Sequence, residues 1–124
     1  MIGYVTLGTN DLPRAVAFYD ALIGAMGGKR FMETDSFVAW VTDPKAAGLS
    51  VTQPFDGQPA TVGNGVMVAL DAPNPDEVAR LHALALSLGG TDEGAPGPRG
   101  GGFYCAYFRD PDGNKLNFFC FTGG

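Results

Sequence analysis

An internal repeat limits what this chain can fold into. Asn10-Asp11-Leu12-Pro13 is an Asx cap with proline in the first turn. It opens a helix whose apolar face is Leu12, Ala15, Val16, Tyr19, Leu22, Ile23 and Met26, and Gly27-Gly28 stops it. Asn74-Pro75-Asp76-Glu77 is an Asn-x-x-Glu capping box before a second helix with Val78, Leu81, Leu84, Ala85 and Leu88 on one face and Gly89-Gly90 at its end. Pro13 to Pro75 and Gly27 to Gly89 are both steps of 62 residues. Alternating apolar residues at 2–7 and 65–70 predict a strand before each helix. After the first helix, Lys29–Glu33, 36–42 and 49–53 read as three short strands. Asp43-Pro44 recurs as Asp110-Pro111 at a step of 67 residues, the extra length falling in the Gly- and Pro-rich loop 95–102.

The chain is therefore expected to be one α+β domain, 1–124, built from two βαβββ units, 1–53 and 63–124, joined by a linker at 54–62. One helix and four strands cover one sheet face well. The units are expected to combine into a curved mixed sheet with helices outside and a concave ligand cup inside. A net charge of −5, from 8 basic and 13 acidic residues, argues against nucleic acid or an anionic membrane as partner. No apolar run approaches the ~20 residues of a membrane span. No basic, signal-type stretch opens the sequence, so a cytoplasmic location is expected. Cys105 and Cys120 fall in strands and match no zinc spacing, which favours buried thiols over a disulfide or a metal pair.

Residues 103–121 form a second signature: two aromatic-rich runs flank Asp110-Pro111-Asp112-Gly113-Asn114, a hairpin turn. Phe108-Arg109-Asp110-Pro111-Asp112-Gly113-Asn114-Lys115-Leu116 resembles the closing hairpin of the glyoxalase / bleomycin-resistance / dioxygenase (vicinal oxygen chelate) superfamily, and segments 10–19 and 63–70 extend the resemblance along the chain. The resemblance implies the paired βαβββ fold and a homodimer. In metalloenzymes of that family, His, Gln or Glu from the first and last strands of the units hold a divalent ion. Carried over by motif, those positions are Tyr4, Thr52, Met67 and Asn117. None is a carboxylate or an imidazole, so no metal and no cofactor is expected.

With Asn117 facing inward, as the family position implies, Lys115, Phe119 and Phe121 share its face. The preceding strand adds Phe103, Cys105 and Tyr107 or, in the other phase, Tyr104, Ala106 and Phe108; the first unit adds Phe37, Ala39 and Val41 or Val38 and Trp40. About half of these aromatics fill the core under the helices. The rest, with Tyr4, Thr6, Trp40, Thr52, Met67, Cys105, Tyr107, Asn117 and Phe119, are the expected ligand-binding surface, and Arg99 in the glycine-rich loop is placed to clamp a carboxylate or phosphate. Cys105 has no evident activating base and is read as structural. His82, the single histidine, lies beside the apolar stripe of its helix and is read as a surface or flank residue. No catalytic residue is assigned.

The function expected is binding of a small molecule, drug or metabolite, in an aromatic-lined cup, and an acidic chain with aromatic walls suits a planar cation. The alternatives are a metal-dependent lyase or isomerase resembling lactoylglutathione lyase, which would need a metal and a carboxylate base, and a structural module without a ligand.

Overall fold

Strand pairing follows the repeat. The computed structural model describes residues 1–123, and the chain divides into two compact units, Met1–Val62 and Gly63–Gly124. The first runs β1 (Tyr4–Gly8), α1 (Leu12–Ala25), β2 (Lys29–Glu33), β3 (Phe37–Val41) and β4 (Gly48–Thr52). The second runs β5 (Val68–Asp71), α2 (Pro75–Ser87), β6 (Thr91–Pro98), β7 (Phe103–Arg109) and β8 (Lys115–Phe121). Sheet order is β1-β4-β3-β2 in one and β5-β8-β7-β6 in the other. In each, the first strand pairs in parallel with the last, and the other pairs are antiparallel. The α+β class and the β-α-β-β-β order are those the repeat predicts.

Both helices form where their caps place them. Asp11 Oδ1 accepts from the Arg14 amide at 3.1 Å, and Asn74 Oδ1 accepts from the Glu77 amide at 2.9 Å. At the other ends Gly27 (φ 84°) and Gly89 (φ 109°) take the left-handed conformation that stops a helix. The second glycine of each pair has a different duty. A Cβ on Gly90 would stand 2.8 Å from the Ala85 carbonyl oxygen and 2.9 Å from that of Arg109, and one on Gly28 would stand 2.9 Å from the Val41 oxygen. The bare glycine lets the chain leave the helix pressed against a strand end.

Helix α1 packs on β2, β3 and β4, and α2 on β6, β7 and β8. Under α1 lie Tyr19, Leu22, Trp40 and Val51, each at most 1% exposed. Trp40 corrects the sequence expectation: it belongs to this core, not to a ligand surface. Its indole N–H needs a partner once buried, and Asp20 on α1 supplies one, Nε1 donating to Oδ1 at 2.9 Å. Arg30 closes the cluster by donating twice to the Asp20 carboxylate, at 2.9 and 2.6 Å. Arg30 foremost, with help from Trp40, holds the Asp20 carboxyl below its ordinary range against the opposing effect of partial burial.

In the second unit the Asp110 turn locks itself. Asp110 Oδ1 accepts from the amides of Asp112 and Asn114, both at 2.9 Å, Oδ2 accepts from Asn114 Nδ2 at 3.0 Å, and Gly113 sits at φ 91°. Three expectations shift. Strand β5 begins at Val68, later than residue 65. Strand β6 continues through Ala95 to Pro98, where a loop was expected. It lies at the sheet edge with register shifts between Asp92 and Gly97, the setting in which Pro96 and Pro98 are tolerated. His82 is not a surface residue: it is 4% exposed, and its Nε2 faces the Tyr107 carbonyl oxygen at 3.1 Å and Asp92 Oδ1 at 3.2 Å. A carbonyl only accepts, so this nitrogen carries the proton.

Two outcomes follow for stability. Gly90→Ala should destabilise by about 1–3 kcal/mol, read as a lowered denaturant midpoint with unchanged slope. For Asp20, a depressed folded-state pKa means that its contribution is complete above the unfolded value near 3.9 and is lost as pH falls through the lower folded value. The wild type should therefore exceed Asp20→Asn in stability at neutral pH, by no more than about 1 kcal/mol for so exposed a pair. That advantage should fade below about pH 4 in parallel urea titrations.

Candidate functional site

Along β8, Leu116, Phe118 and Cys120 are buried, whereas Lys115 and Phe119 are half-buried and Phe121 is 70% exposed. The even positions face α2, with the Phe108 and Phe118 rings stacked at 5.2 Å between centroids. The odd positions line the open face. Register assigns their neighbours: Phe103 pairs with Phe121, Cys105 with Phe119, Tyr107 with Asn117, and Ala69 of β5 also lies beside Asn117. The strand phase left open in the sequence is thus the one that puts Phe103, Cys105 and Tyr107 on the Asn117 face.

At the centre of this face is an unsatisfied amide. Asn117 is 1% exposed, and neither Nδ2 nor Oδ1 has a hydrogen-bond partner of good geometry, although the amide lies near enough to the Tyr107 hydroxyl to favour its ionised form. Leaving a buried polar group unpaired costs about 1–3 kcal/mol. On one side of it stands Tyr107, whose phenol is held above its ordinary value first by interaction with the Cys105 thiol and then by desolvation, with the Asn117 amide and the Arg99 charge pulling the other way. It stays a neutral O–H donor. Two cations lie over the Tyr107 ring, the Arg99 guanidinium carbon at 5.7 Å and Lys115 Nζ at 5.3 Å from its centroid. On the other side Phe103, Phe119 and Phe121 form an aromatic cluster with centroids 5.5 to 6.0 Å apart.

Arg99 reaches Tyr107 because glycines clear its path. A Cβ at Gly97 would stand 3.1 Å from Arg99 Nη1, and one at Gly94 would stand 3.1 Å from the Tyr107 ring. The guanidinium donates to the Ala95 oxygen at 2.7 Å, which folds it back along β6. Lys115 and the two glycines were absent from the expected ligand-binding residues. Strand parity had already put Lys115 on the Asn117 face without counting it as ligand-binding, and the two glycines precede the arginine in the sequence.

The first unit has the same backbone with different chemistry. There Ser50 occupies the place of Asn117, flanked by Ala39 and Thr6 as Asn117 is by Tyr107 and Ala69. Ser50 is buried but satisfied, meeting Thr6 Oγ1 at 2.7 Å and the Val5 oxygen at 3.1 Å. Thr52 stands two residues further on, where the second unit has Phe119, and its hydroxyl bonds to the Ser36 and Gln53 carbonyls at 3.2 and 2.9 Å. Tyr4 is 55% exposed with its ring 6.3 Å from that of Phe37, and Met67 precedes β5. The structure thus groups Cys105, Tyr107, Asn117, Phe119 and Arg99, and separately Tyr4, Thr6 and Thr52 on the open face of the first sheet. A cavity of about 290 Å³ near the end of β4 is lined by Thr9, Asn10, Gln53, Pro54, Gly57, Gln58 and Pro59 and holds no titratable group. Asn10 in it is already paired with both backbone groups of Ala60, at 2.6 and 3.1 Å.

The family model of the Glyoxalase/Bleomycin resistance protein/Dioxygenase superfamily matches residues 1–118. The chain belongs to that superfamily. A glyoxalase/bleomycin resistance protein from Albidiferax ferrireducens T118 is 38% identical, with 96% of this chain and 97% of that one covered at a TM-score of 0.88. The hypothetical protein SA1046 from S. aureus is 26% identical over 96% and 91% of the chains, with a TM-score of 0.73. A lactoylglutathione lyase from Agrobacterium tumefaciens shares the fold at 21% identity and a TM-score of 0.72, over 96% and 92%. No curated protein matches significantly.

The divalent ion that the resemblance implies for metalloenzymes of the superfamily does not fit the residues here. A phenol at Tyr4, a hydroxyl at Thr52, a thioether at Met67 and an amide at Asn117 bring no charge to offset desolvation of the ion. The register also places Ser50, not Thr52, opposite the role of Asn117, and a serine hydroxyl does not change that chemistry. Among the described residues no three His, Cys, Asp or Glu side chains stand together as a metal-binding group. No helix is long and apolar enough to cross a membrane.

If Asn117 is kept unpaired within the fold, Asn117→Leu should leave the melting temperature unchanged or raise it, because an apolar side chain of similar size removes two unpaired groups. A loss above about 2 kcal/mol would instead mean that the amide supports the fold.

Proposed function

We propose that this superfamily member binds a small organic molecule on the open face of its second sheet, without a resident metal, and that it works as a homodimer. The observation that carries the reading is the buried, unpaired amide of Asn117 between an aromatic cluster and a cation-flanked tyrosine. Buried polar groups are paired in nearly all folded proteins, so one without a good partner just beneath an open face favours a ligand that completes it. The donor types at the family positions support a role for the face other than holding an ion. Exposed Tyr4, Phe31 and Met32 on the first unit support pairing with a second copy.

The test is a thermal-shift screen in excess EDTA of neutral, cationic and anionic aromatic compounds, on wild type and Asn117→Leu. A binder at 100 times its Kd should stabilise the wild type by about 2.7 kcal/mol and Asn117→Leu far less. Equal shifts in both proteins, or none in the wild type, would remove the reading. Equilibrium sedimentation should return the dimer mass.

A further inference from the structure

We propose that the ligand of this face is an aromatic carboxylate, its anionic group held beside Tyr107 by the charges of Arg99 and Lys115 and its ring lying toward Phe119 and Phe103. This rests on the reading of the face as a small-molecule site and adds the chemical class of the ligand.

Charge decides the sign. Arg99 and Lys115 are like charges within 5.7 and 5.3 Å of one ring centroid, and among the described residues neither forms an ion pair with a carboxylate. Arg109, across from Lys115 in register, is a third cation, but it is matched by Glu93 at 2.6 Å. The face therefore carries two positive charges without a carboxylate partner, beside a phenolic donor and above a buried amide that lacks a partner of good geometry. An oxyanion beside Tyr107 meets both cations, and charge-assisted bonds of this kind are worth about twice neutral ones. Of the carboxylates that bear on this face, Glu93 is taken by Arg109, and Asp71 lies beside Phe119 at the far end of β5, away from the cations.

Shape decides the rest. From Asn117 to Phe121 the open face rises about 13 Å, and its far half is Phe103, Phe119 and Phe121. A planar ring matches that wall by offset or edge contacts. Asn117 lies between the two halves, buried just beneath the face. The location of Arg99 is built into β6, since side chains at Gly94 or Gly97 would crowd it or its tyrosine.

The experiment is calorimetric titration of the full chain with 2-naphthoate, neutral 2-naphthamide and cationic 2-naphthylmethylammonium. The carboxylate should bind at least about tenfold tighter than the amide and the ammonium weakest. In the double variant Arg99→Met, Lys115→Met the preference for carboxylate over amide should vanish. Gly97→Ala, which leaves both charges in place but crowds the guanidinium, should reduce it. Equal binding of carboxylate and amide, stronger binding of the ammonium, or a preference that survives in the double variant would overturn the carboxylate assignment and leave the face as a ligand site. Failure of all three probes to bind would overturn the assignment, and with no hit in the EDTA screen the underlying site as well. A circular-dichroism melt within 3 °C of wild type, roughly the shift of a 1 kcal/mol change or less, qualifies each variant for comparison.

Discussion

Parallel pairing of first and last strands is the constraint on which each unit depends. It forces a crossover, the crossover is the helix, and the helix covers one face of the sheet. The other face is left open. Because β4 and β8 are each flanked by a parallel and an antiparallel neighbour, the middle of the open face is always a row of three side chains. In one unit the row is Ala39, Ser50 and Thr6; in the other it is Tyr107, Asn117 and Ala69. One backbone thus carries two chemical settings. The threonine that satisfies Ser50 is an alanine beside Asn117, and that methyl group cannot donate or accept.

The difference separates stability from function within a single repeat. The first row closes on itself, with Ser50 between a hydroxyl and a carbonyl, and so contributes to the fold. The second keeps a desolvated amide that the protein itself does not pair. Its cost is borne because the surroundings are strongly held. Leu116 and Phe118, on either side of Asn117, are fully buried against the helix side, and the Asp110 turn fixes where β8 begins. A slip of one residue would send Asn117 into the core and Phe118 to the open face, so register and site are set by the same contacts.

Much of this was legible in the sequence, for identifiable reasons. Caps, glycine pairs and period-two runs are local signals, and they placed the helices and most of the strands. Face assignment is not local. Trp40 and Tyr107 each sat in strands whose phase the sequence left open, and only the register with the neighbouring strand puts the indole against Asp20 and the phenol beside Asn117. The extension of β6 into a segment with two prolines and a glycine ran against propensity, because an edge strand needs fewer of its own amides. His82 was a misreading, not a hidden signal. It follows Val78 by four residues and precedes Ala85 by three, on the buried stripe itself, and its polar ring is accommodated there because a strand carbonyl meets it.

Net charge was the weakest guide of all. A chain at −5 suggests a cationic ligand only if its acids gather near the site, and here they do not. Asp20 and Glu33 are taken by Arg30, Glu77 by Arg80, Glu93 by Arg109, and Asp110 by its own turn. Each pairing removes an acid from the general field. What an incoming ligand meets is set by the charges left over at contact distance, since at physiological ionic strength fields fade within about 8 Å. Around Tyr107 those are Arg99 and Lys115, and the same ring is the neighbour of the Asn117 amide. Two positive charges gather around one neutral phenol donor, and the group that answers them is negative and rich in acceptors.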